Sequence, residues 1–387
     1  MNQKKILTSG LKTPCYIIDE VALTQNCSQL KQVQDETGCK ILLAQKAFSN
    51  YDLYPVLAPY LAGTEASGLY EARLGATHMP NKECHVFCGA YRKEEFEELL
   101  NYADHIVFNS PSQLKKYGKL AKNAGKEIGI RINPECSTQE GHDIYDPCAP
   151  GSRLGTTLTQ WQEHMTEELI DLLDGIHFHT LCEQNSDALA QTLTAVEEKF
   201  GVYLHKMKWL NMGGGHHITR KDYDVTLLKK CILHMKNTYQ LEIYLEPGEA
   251  VALNAGYLYT QVLDTLKNGD MHIAILDMSA ACHTPDVIEM PYRPPLFLSG
   301  NAGEKAYTYR LGGPTCLSGD IIGDYSFDMP LKDGNYLLFE DMAIYSMCKN
   351  NTFNGMPLPD IYVLRADGSF ELLARFGYDD FKYRLGK

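Results

Sequence analysis

Ile41-Leu42-Leu43-Ala44-Gln45-Lys46 is the stretch on which the fold of this 387-residue chain turns. Four apolar residues without a polar break suit a strand covered on both faces, as in an all-parallel sheet, and the run then stops in an amide and an amine. Seven more short runs follow at helix-length intervals: Tyr60-Leu61-Ala62-Gly63, His85-Val86-Phe87-Cys88, His105-Ile106-Val107-Phe108, Ile128-Gly129-Ile130-Arg131-Ile132, Gly175-Ile176-His177-Phe178, Trp209-Leu210-Asn211-Met212 and Glu242-Ile243-Tyr244-Leu245. Segments such as 93–102 and 166–173 alternate charged residues with Leu and Phe at helical spacing. Eight strands alternating with helices predict an α/β chain built on a closed (β/α)8 TIM barrel.

The run ends carry the polar chemistry: Gln45-Lys46, Glu65-Ala66-Ser67, Asn109-Ser110, Arg131-Ile132-Asn133, His179-Thr180, Gly213-Gly214-Gly215 and Glu246-Pro247-Gly248. In a barrel these carboxyl ends meet at one mouth, where active sites lie. Beyond Tyr257 the period changes to alternating strands, as in Tyr257-Leu258-Tyr259-Thr260-Gln261-Val262 and Tyr336-Leu337-Leu338-Phe339. This predicts a second, mostly β domain made of residues 258–387 and 1–21, the latter through the strand pattern of Pro14-Cys15-Tyr16-Ile17-Ile18-Asp19, with the barrel over 22–257.

Composition narrows the function. The 36 Lys+Arg against 49 Asp+Glu leave a formal charge of −13, and the basic residues form scattered pairs such as Lys115-Lys116 and Lys229-Lys230, so nucleic acid is not an expected partner. Hydrophobic residues make up 44% of the chain, enough for one large core or two moderate ones, which excludes disorder. The amino terminus lacks a signal-peptide apolar region and no stretch approaches the roughly 20 apolar residues of a membrane span, so a soluble, cytoplasmic chain with no membrane partner is expected. Its 12 cysteines are dispersed and expected to be reduced; Cys84-x3-Cys88 has no second pair at zinc-site spacing, so no metal is expected.

Three features of the mouth combine into one chemistry. Lys46 follows a buried strand, where desolvation would lower its pKa and free the amine to condense with an aldehyde. Gly213-Gly214-Gly215 gives backbone N–H groups with no Cβ in the way, a shape suited to phosphate. Glu246 ends the next strand, where its carboxylate can keep a pyridine nitrogen protonated. Together they describe a pocket for pyridoxal 5'-phosphate.

The chain resembles the fold type III pyridoxal-phosphate decarboxylases essentially end to end, and within them the carboxynorspermidine and carboxyspermidine decarboxylase branch. The resemblance rests on Tyr145-Asp146-Pro147 through Ser152-Arg153-Leu154-Gly155, His177-Phe178-His179, Met212-Gly213-Gly214-Gly215, Glu246-Pro247-Gly248-Glu249, Cys316-Leu317-Ser318-Gly319-Asp320 and Phe376-Gly377-Tyr378-Asp379-Asp380-Phe381-Lys382, in the family's order. It implies that Lys46 bonds the cofactor and that His179 stacks on its ring. It also implies that Glu246 faces the pyridine nitrogen and that Gly213, Gly214 and Gly215 with Tyr345 hold the phosphate; Cys316 is the candidate acid that returns a proton to Cα. It further implies a homodimer in which Cys316 and Asp320 reach the partner's site.

Relatives acting on diaminopimelate or ornithine carry an arginine where this chain has Glu249. That exchange argues against a substrate with a distal carboxylate and for one whose distal end is a polyamine. Glu249, Glu289 and Asp320 are the expected anchors for substrate ammonium groups; Arg153 stands near the mouth without an assigned role. The expected activity is therefore decarboxylation of carboxynorspermidine or carboxyspermidine to norspermidine or spermidine, in polyamine biosynthesis. The alternatives are a diaminopimelate or basic amino-acid decarboxylase on the same fold, or a non-catalytic cofactor-binding homologue.

Overall fold

A computed structural model of the chain describes residues 2–139 and 146–386. Contacts divide the chain into two compact units, Thr24–Val251 and Met1–Leu23 with Ala252–Lys387. The first strand, β1 (Cys15–Asp19), belongs to the second of these. In the first unit, β2 (Lys40–Ala44), β3 (Gly63–Ala66), β4 (Glu83–Phe87), β5 (His105–Phe108), β6 (Glu127–Arg131), β7 (Gly175–His177), β8 (Trp209–Asn211) and β9 (Glu242–Leu245) pair in parallel. The ring closes where β2 meets β9, Lys40 opposite Tyr244 and Ile41 opposite Leu245. The expected barrel is present.

One strand lies elsewhere than the apolar run implied. The third strand is Gly63-Thr64-Glu65-Ala66, in register with Leu42 to Ala44, and not Tyr60 to Gly63. Hydrophobicity misplaced it because this strand directs a carboxylate into the barrel, which breaks the apolar run. The helices between strands are set by local chemistry. Ser110 caps helix Pro111–Asn123, its Oγ accepting from the Gln113 N–H, with Pro at the first position. Thr166 likewise caps Glu167–Ile170, a shorter helix than the 166–173 pattern suggested.

The barrel interior is filled rather than hollow, with Leu42, Val107, Trp209 and Tyr244 forming one buried cluster. Trp209 fits because β6 and β7 give way to it. A Cβ on Gly175 would lie 2.0 Å from the indole, and one on Gly129 would lie 2.3 Å from it.

In the second unit a nine-stranded sheet adds β10 (Gly256–Asn268), β11 (Met271–Leu276), β12 (Gly300–Asn301), β13 (Tyr307–Gly312), β14 (Ile321–Phe327), β15 (Tyr336–Glu340), β16 (Asp360–Leu364) and β17 (Phe370–Ala374) to β1. The thirteen-residue β10 is the spine, pairing with β1, β11 and β15. Strand β1 lies between β10 and β16, Cys15 facing Tyr259 on one side and Asp360 on the other. Ile6, Cys15, Ile17, Tyr259, Leu338 and Leu364 pack together there, and burial pushes the Cys15 thiol up to about 12, leaving it inert. Among the described residues, no helix is long and apolar enough to cross a membrane.

The Trp209 packing gives a stability test. Gly175→Ala is expected to destabilise by about 1–3 kcal/mol in urea unfolding, the usual penalty for overfilling a packed core. Gly89→Ala, where an added Cβ meets nothing within 4 Å, is expected to change stability by less than about 0.5 kcal/mol.

Candidate active site

Six strands deliver polar side chains toward their carboxyl ends. Glu65 is third in β3; Arg131, His177 and Asn211 end β6, β7 and β8; Glu246 follows β9 by one residue and Lys46 follows β2 by two. Parallel strands closed into a ring give these positions no choice but one mouth.

Glu246 is the best-anchored of them and is buried. Its Oε2 lies 3.0 Å from His177 Nε2, and its Oε1 accepts from Asn211 Nδ2 at 2.5 Å. Burial alone would raise its pKa, but the His177 contact and the Lys46 cation outweigh it and hold the carboxyl at about 2. The His177 ring is itself buried, and burial lowers its pKa more than Glu246 raises it, so the ring is neutral and donates from Nε2. Asn211 does double duty: its Oδ1 accepts the Gly213 N–H at 2.9 Å.

Gly214 continues the chain of contacts, its N–H donating to His179 Nδ1 at 2.8 Å, which places the neutral ring's proton on Nε2. Burial, then the Lys46 and Arg131 cations, push the His179 pKa well below its ordinary value. The glycine run thus differs from its expected form, because two of its three N–H groups already have protein acceptors. What demands glycine is space: a Cβ would meet the Phe178 carbonyl oxygen at 2.3 Å from Gly213, Glu246 O at 2.5 Å from Gly214, and Leu181 O at 2.1 Å from Gly215. Gly213 and Gly215 also have φ of +66° and +79°.

Two buried groups without an assigned role in the sequence sit in the same interior. Arg131, 3% exposed, donates to the His179 carbonyl at 2.9 Å and lies 4.6 Å over the Phe87 ring; burial lowers its pKa only to about 10, so it stays a cation. Glu65, 2% exposed, has an Oε2 with no hydrogen-bond partner. Burial pushes its pKa up to about 8, with Lys46 opposing and Glu246 adding to the rise. Two carboxyls of one mouth are thereby driven apart, one ionised and one protonated at neutral pH. The signal for both was polar type at a strand's carboxyl end; what the sequence lacked was their burial.

Lys46 itself corrects an expectation. It lies two residues past the end of β2 and is exposed, not buried behind the strand as expected. The residues fit pyridoxal phosphate nonetheless: an accessible amine, an ionised carboxylate for a ring nitrogen, an imidazole and a backbone cradle that only glycine can form. Glu249 begins the short helix Glu249–Ala252 and is half-buried; Arg153 is exposed, its carbonyl held by Asn109 Nδ2 at 2.9 Å. Tyr145 lies outside the described residues.

The β unit holds the remaining residues. Cys316 is exposed, on a loop where its N–H donates to Asn354 Oδ1 at 2.7 Å. Tyr345 is half-buried at a φ of +52°, an uncommon conformation for an aromatic residue. Asp320 departs from its expected part as an ammonium anchor. It is buried, and it accepts from Ser279 Oγ at 3.0 Å, the Ala281 N–H at 3.2 Å and Thr315 Oγ1 at 2.6 Å, so it braces the residue next to Cys316. Glu289, exposed, is ion-paired with Lys349, which also binds Asp286.

At the opposite, amino end of the barrel strands, Glu83, His85 and His105 bring ligand-type atoms within 4.8 Å of one another. The two imidazoles stack 3.9 Å apart at 14°, so their in-plane lone pairs do not converge on one ion, and Glu83 is taken by Lys40 and His85.

Residues 15–343 match the family profile described as pyridoxal-dependent decarboxylase, C-terminal sheet domain. The chain is 40% identical to a carboxyaminopropylagmatine decarboxylase of Synechocystis, covering 98% of this chain and 96% of that protein. It is 38% identical to a carboxynorspermidine/carboxyspermidine decarboxylase of Campylobacter jejuni, covering 97% and 98%. The crystal structure of carboxynorspermidine decarboxylase complexed with norspermidine, from Campylobacter jejuni, superposes with a TM-score of 0.88 at 36% identity, over 97% of this chain and all of that one.

The two carboxyls make opposite contributions to stability. Glu246, held near 2 against an ordinary 4.5, stabilises the fold above pH 4.5 and loses that contribution as pH falls toward 2. Glu65, raised to about 8, stabilises it below 4.5 and loses that contribution as pH rises toward 8. Thermal unfolding across pH is expected to show Glu65→Gln gaining on the native protein as pH rises from 4.5 to about 8 and running parallel to it beyond, whereas Glu246→Gln is less stable than native at pH 7. A Glu65→Gln curve parallel to native from pH 4.5 to 8 would contradict this assignment.

Proposed function

Since the chain belongs to the pyridoxal-dependent decarboxylases, we propose that it removes the α-carboxylate of carboxynorspermidine or carboxyspermidine, forming norspermidine or spermidine in polyamine biosynthesis. The observation that carries this reading is the ionised Glu246 set beside the glycine cradle, in a chain similar end to end to a carboxynorspermidine/carboxyspermidine decarboxylase. The 40% identity to a carboxyaminopropylagmatine decarboxylase favours a second candidate substrate whose distal end is a guanidinium. All three share a carboxylated aminopropyl head and a cationic tail, which suits a chain with Glu249 in place of a cation.

Bound pyridoxal phosphate supplies the electron-withdrawing ring that receives the electron pair of the Cα–carboxylate bond as CO2 departs. The protein's part is placement and proton control. Lys46 supplies the amine that anchors the cofactor. Glu246, ionised at any working pH, keeps a proton on the ring nitrogen, and its two neutral donors keep the carboxylate from turning away. His179, neutral and fixed by Gly214, would lie against the ring, Gly213 to Gly215 would leave room for the phosphate, and the Tyr345 hydroxyl would bind it. Glu249 and Glu289 attract the substrate's ammonium groups, Glu289 by exchanging Lys349 for the substrate. Asp320 positions the Cys316 loop, and the Cys316 thiol returns a proton to Cα. We place the chain in the cytoplasm as a homodimer whose Cys316 loop serves the partner's cofactor.

The test is CO2 release from protein loaded with pyridoxal phosphate, offered carboxynorspermidine, carboxyspermidine, carboxyaminopropylagmatine, meso-diaminopimelate and ornithine separately. Turnover is expected for the first three alone; turnover of meso-diaminopimelate as the best substrate would overturn the reading of Glu249. Cys316→Ala is expected to keep the cofactor's yellow absorbance while lowering kcat by about 10² or more, the scale of a lost general acid. Full activity in that variant would remove Cys316 from the mechanism.

A further inference from the structure

The Cys316 loop is held from two directions, and both lead back to one short helix, Ala280–His283. On one side Asp320 accepts from Ser279 Oγ at 3.0 Å and the Ala281 N–H at 3.2 Å, while its other oxygen accepts from Thr315 Oγ1 at 2.6 Å. On the other side Asn351 grips the same helix, its N–H donating to the Cys282 carbonyl at 2.9 Å and its Nδ2 to the Ala281 carbonyl at 2.8 Å. Asn351 Oδ1 then accepts the Phe353 N–H at 2.9 Å and opens the single helical turn Phe353–Gly355. The buried Cys282 thiol donates to the Phe353 carbonyl at 3.5 Å. Arg384, just past the last helix, Tyr378–Tyr383, donates to Thr352 Oγ1 at 2.6 Å. The turn is thus tied down at Asn351, Thr352 and Phe353 before it meets Cys316.

The meeting is one bond, from the Cys316 N–H to Asn354 Oδ1 at 2.7 Å. It closes a ring of hydrogen bonds that leaves the helix through Asp320 and Thr315, reaches Cys316, and returns through Asn354 and Asn351. The Asn354 backbone is shaped to make it, with φ of +61° and ψ of 16°. That is the left-handed region, which asparagine enters at less cost than most residues with a side chain.

Asn354 and Cys316 are both exposed, and one exposed hydrogen bond is a small part of the stability of a fold. What it contributes is direction. With Thr315 tied through its hydroxyl and Cys316 through its N–H, the peptide plane between them is set, and with it the line along which the Cys316 side chain leaves the chain. Resting on the reading of Cys316 as the acid that returns a proton to Cα, we propose that Asn354 is its positioning residue: the Asn354 amide oxygen fixes the Cys316 peptide so that the thiol serves one face of the reacting carbon.

In that transfer the S–H bond breaks and its electron pair stays on sulfur. The pair that the departing carboxylate leaves behind forms the new C–H bond at Cα, and water then restores the proton to the thiolate. Asn354 exchanges nothing in this step and acts only through Cys316. A proton carried by a fixed thiol arrives on one face of the carbon; a proton from a loose thiol, or from water, arrives on both.

Decarboxylation in D2O turns this geometry into a property of the product. The carbon that loses CO2 gains one deuterium, and NMR of a chiral derivative reads its configuration, using whichever of the three candidate substrates native protein turns over. Native protein is expected to give a single configuration. Asn354→Gly keeps the left-handed backbone without strain and removes only the amide. It is expected to lower kcat by about 10- to 100-fold, the scale of a misplaced catalytic group, and to give both configurations. Asn354→Asp retains an acceptor oxygen and is expected to restore the single configuration, which a merely structural role would not require. In cofactor-free protein, amide exchange at Cys316 is expected to be about 2- to 10-fold faster in Asn354→Gly, the factor that one ordinary hydrogen bond sustains, and native-like in Asn354→Asp.

Native exchange at Cys316 in Asn354→Gly, or a single configuration at native kcat in that variant, overturns the proposal, as does an Asn354→Asp product like that of Asn354→Gly. Cys316→Ala separates the two readings. A mixed product from Cys316→Ala with a single configuration from Asn354→Gly removes Asn354 alone, whereas a single configuration at full kcat from Cys316→Ala removes the Cys316 assignment and this inference with it.

Discussion

The buried carboxylate of Glu246, held by one imidazole and one amide, is the constraint to which the mouth of the barrel is fitted. Two neutral donors on separate strands let it stay charged where water is excluded. Each donor then settles something else. His177 takes the tautomer that donates from Nε2 and leaves its Nδ1 without a partner. Asn211 turns its carbonyl to the Gly213 N–H, which sets the glycine turn, and the next N–H in that turn orients His179. Arg131 closes the circuit from beneath by binding the His179 carbonyl. A single charge thereby specifies the orientation of groups contributed by β6, β7, β8 and β9.

Charge is divided in this mouth rather than accumulated. If Glu65 and Glu246 were both ionised, one interior would hold two anions against Arg131; with Glu65 protonated, the buried interior holds one of each sign. The β unit follows a similar economy. Asp320, which as a free anion would be an obvious anchor for a polyamine, is occupied by three neutral donors and stabilises the loop that presents Cys316.

The barrel was legible because its strands are short and nearly continuous in apolar residues, a pattern that only sheets covered on both faces sustain. The one strand that was misplaced, Gly63–Ala66, is the one that carries Glu65, so the error and the chemistry share a cause. Lys46, Gly213 to Gly215 and Glu246 could be found from residue type at strand ends. Their environment could not: the exposure of Lys46, the occupied glycine N–H groups and the triple bonding of Asp320 depend on neighbours far away in sequence. Asp320 illustrates the point best, since its motif is the family's but its role is decided by Ser279 and Ala281, some forty residues earlier.

The central claim is that Lys46, at the rim of this mouth, is the residue that bonds pyridoxal phosphate. The direct measurement is borohydride reduction of the cofactor-loaded protein, followed by proteolysis and mass spectrometry. The account predicts one pyridoxyl-phosphate modification, on the peptide containing Ala44-Gln45-Lys46-Ala47. Modification of a different lysine with Lys46 unlabelled would contradict it.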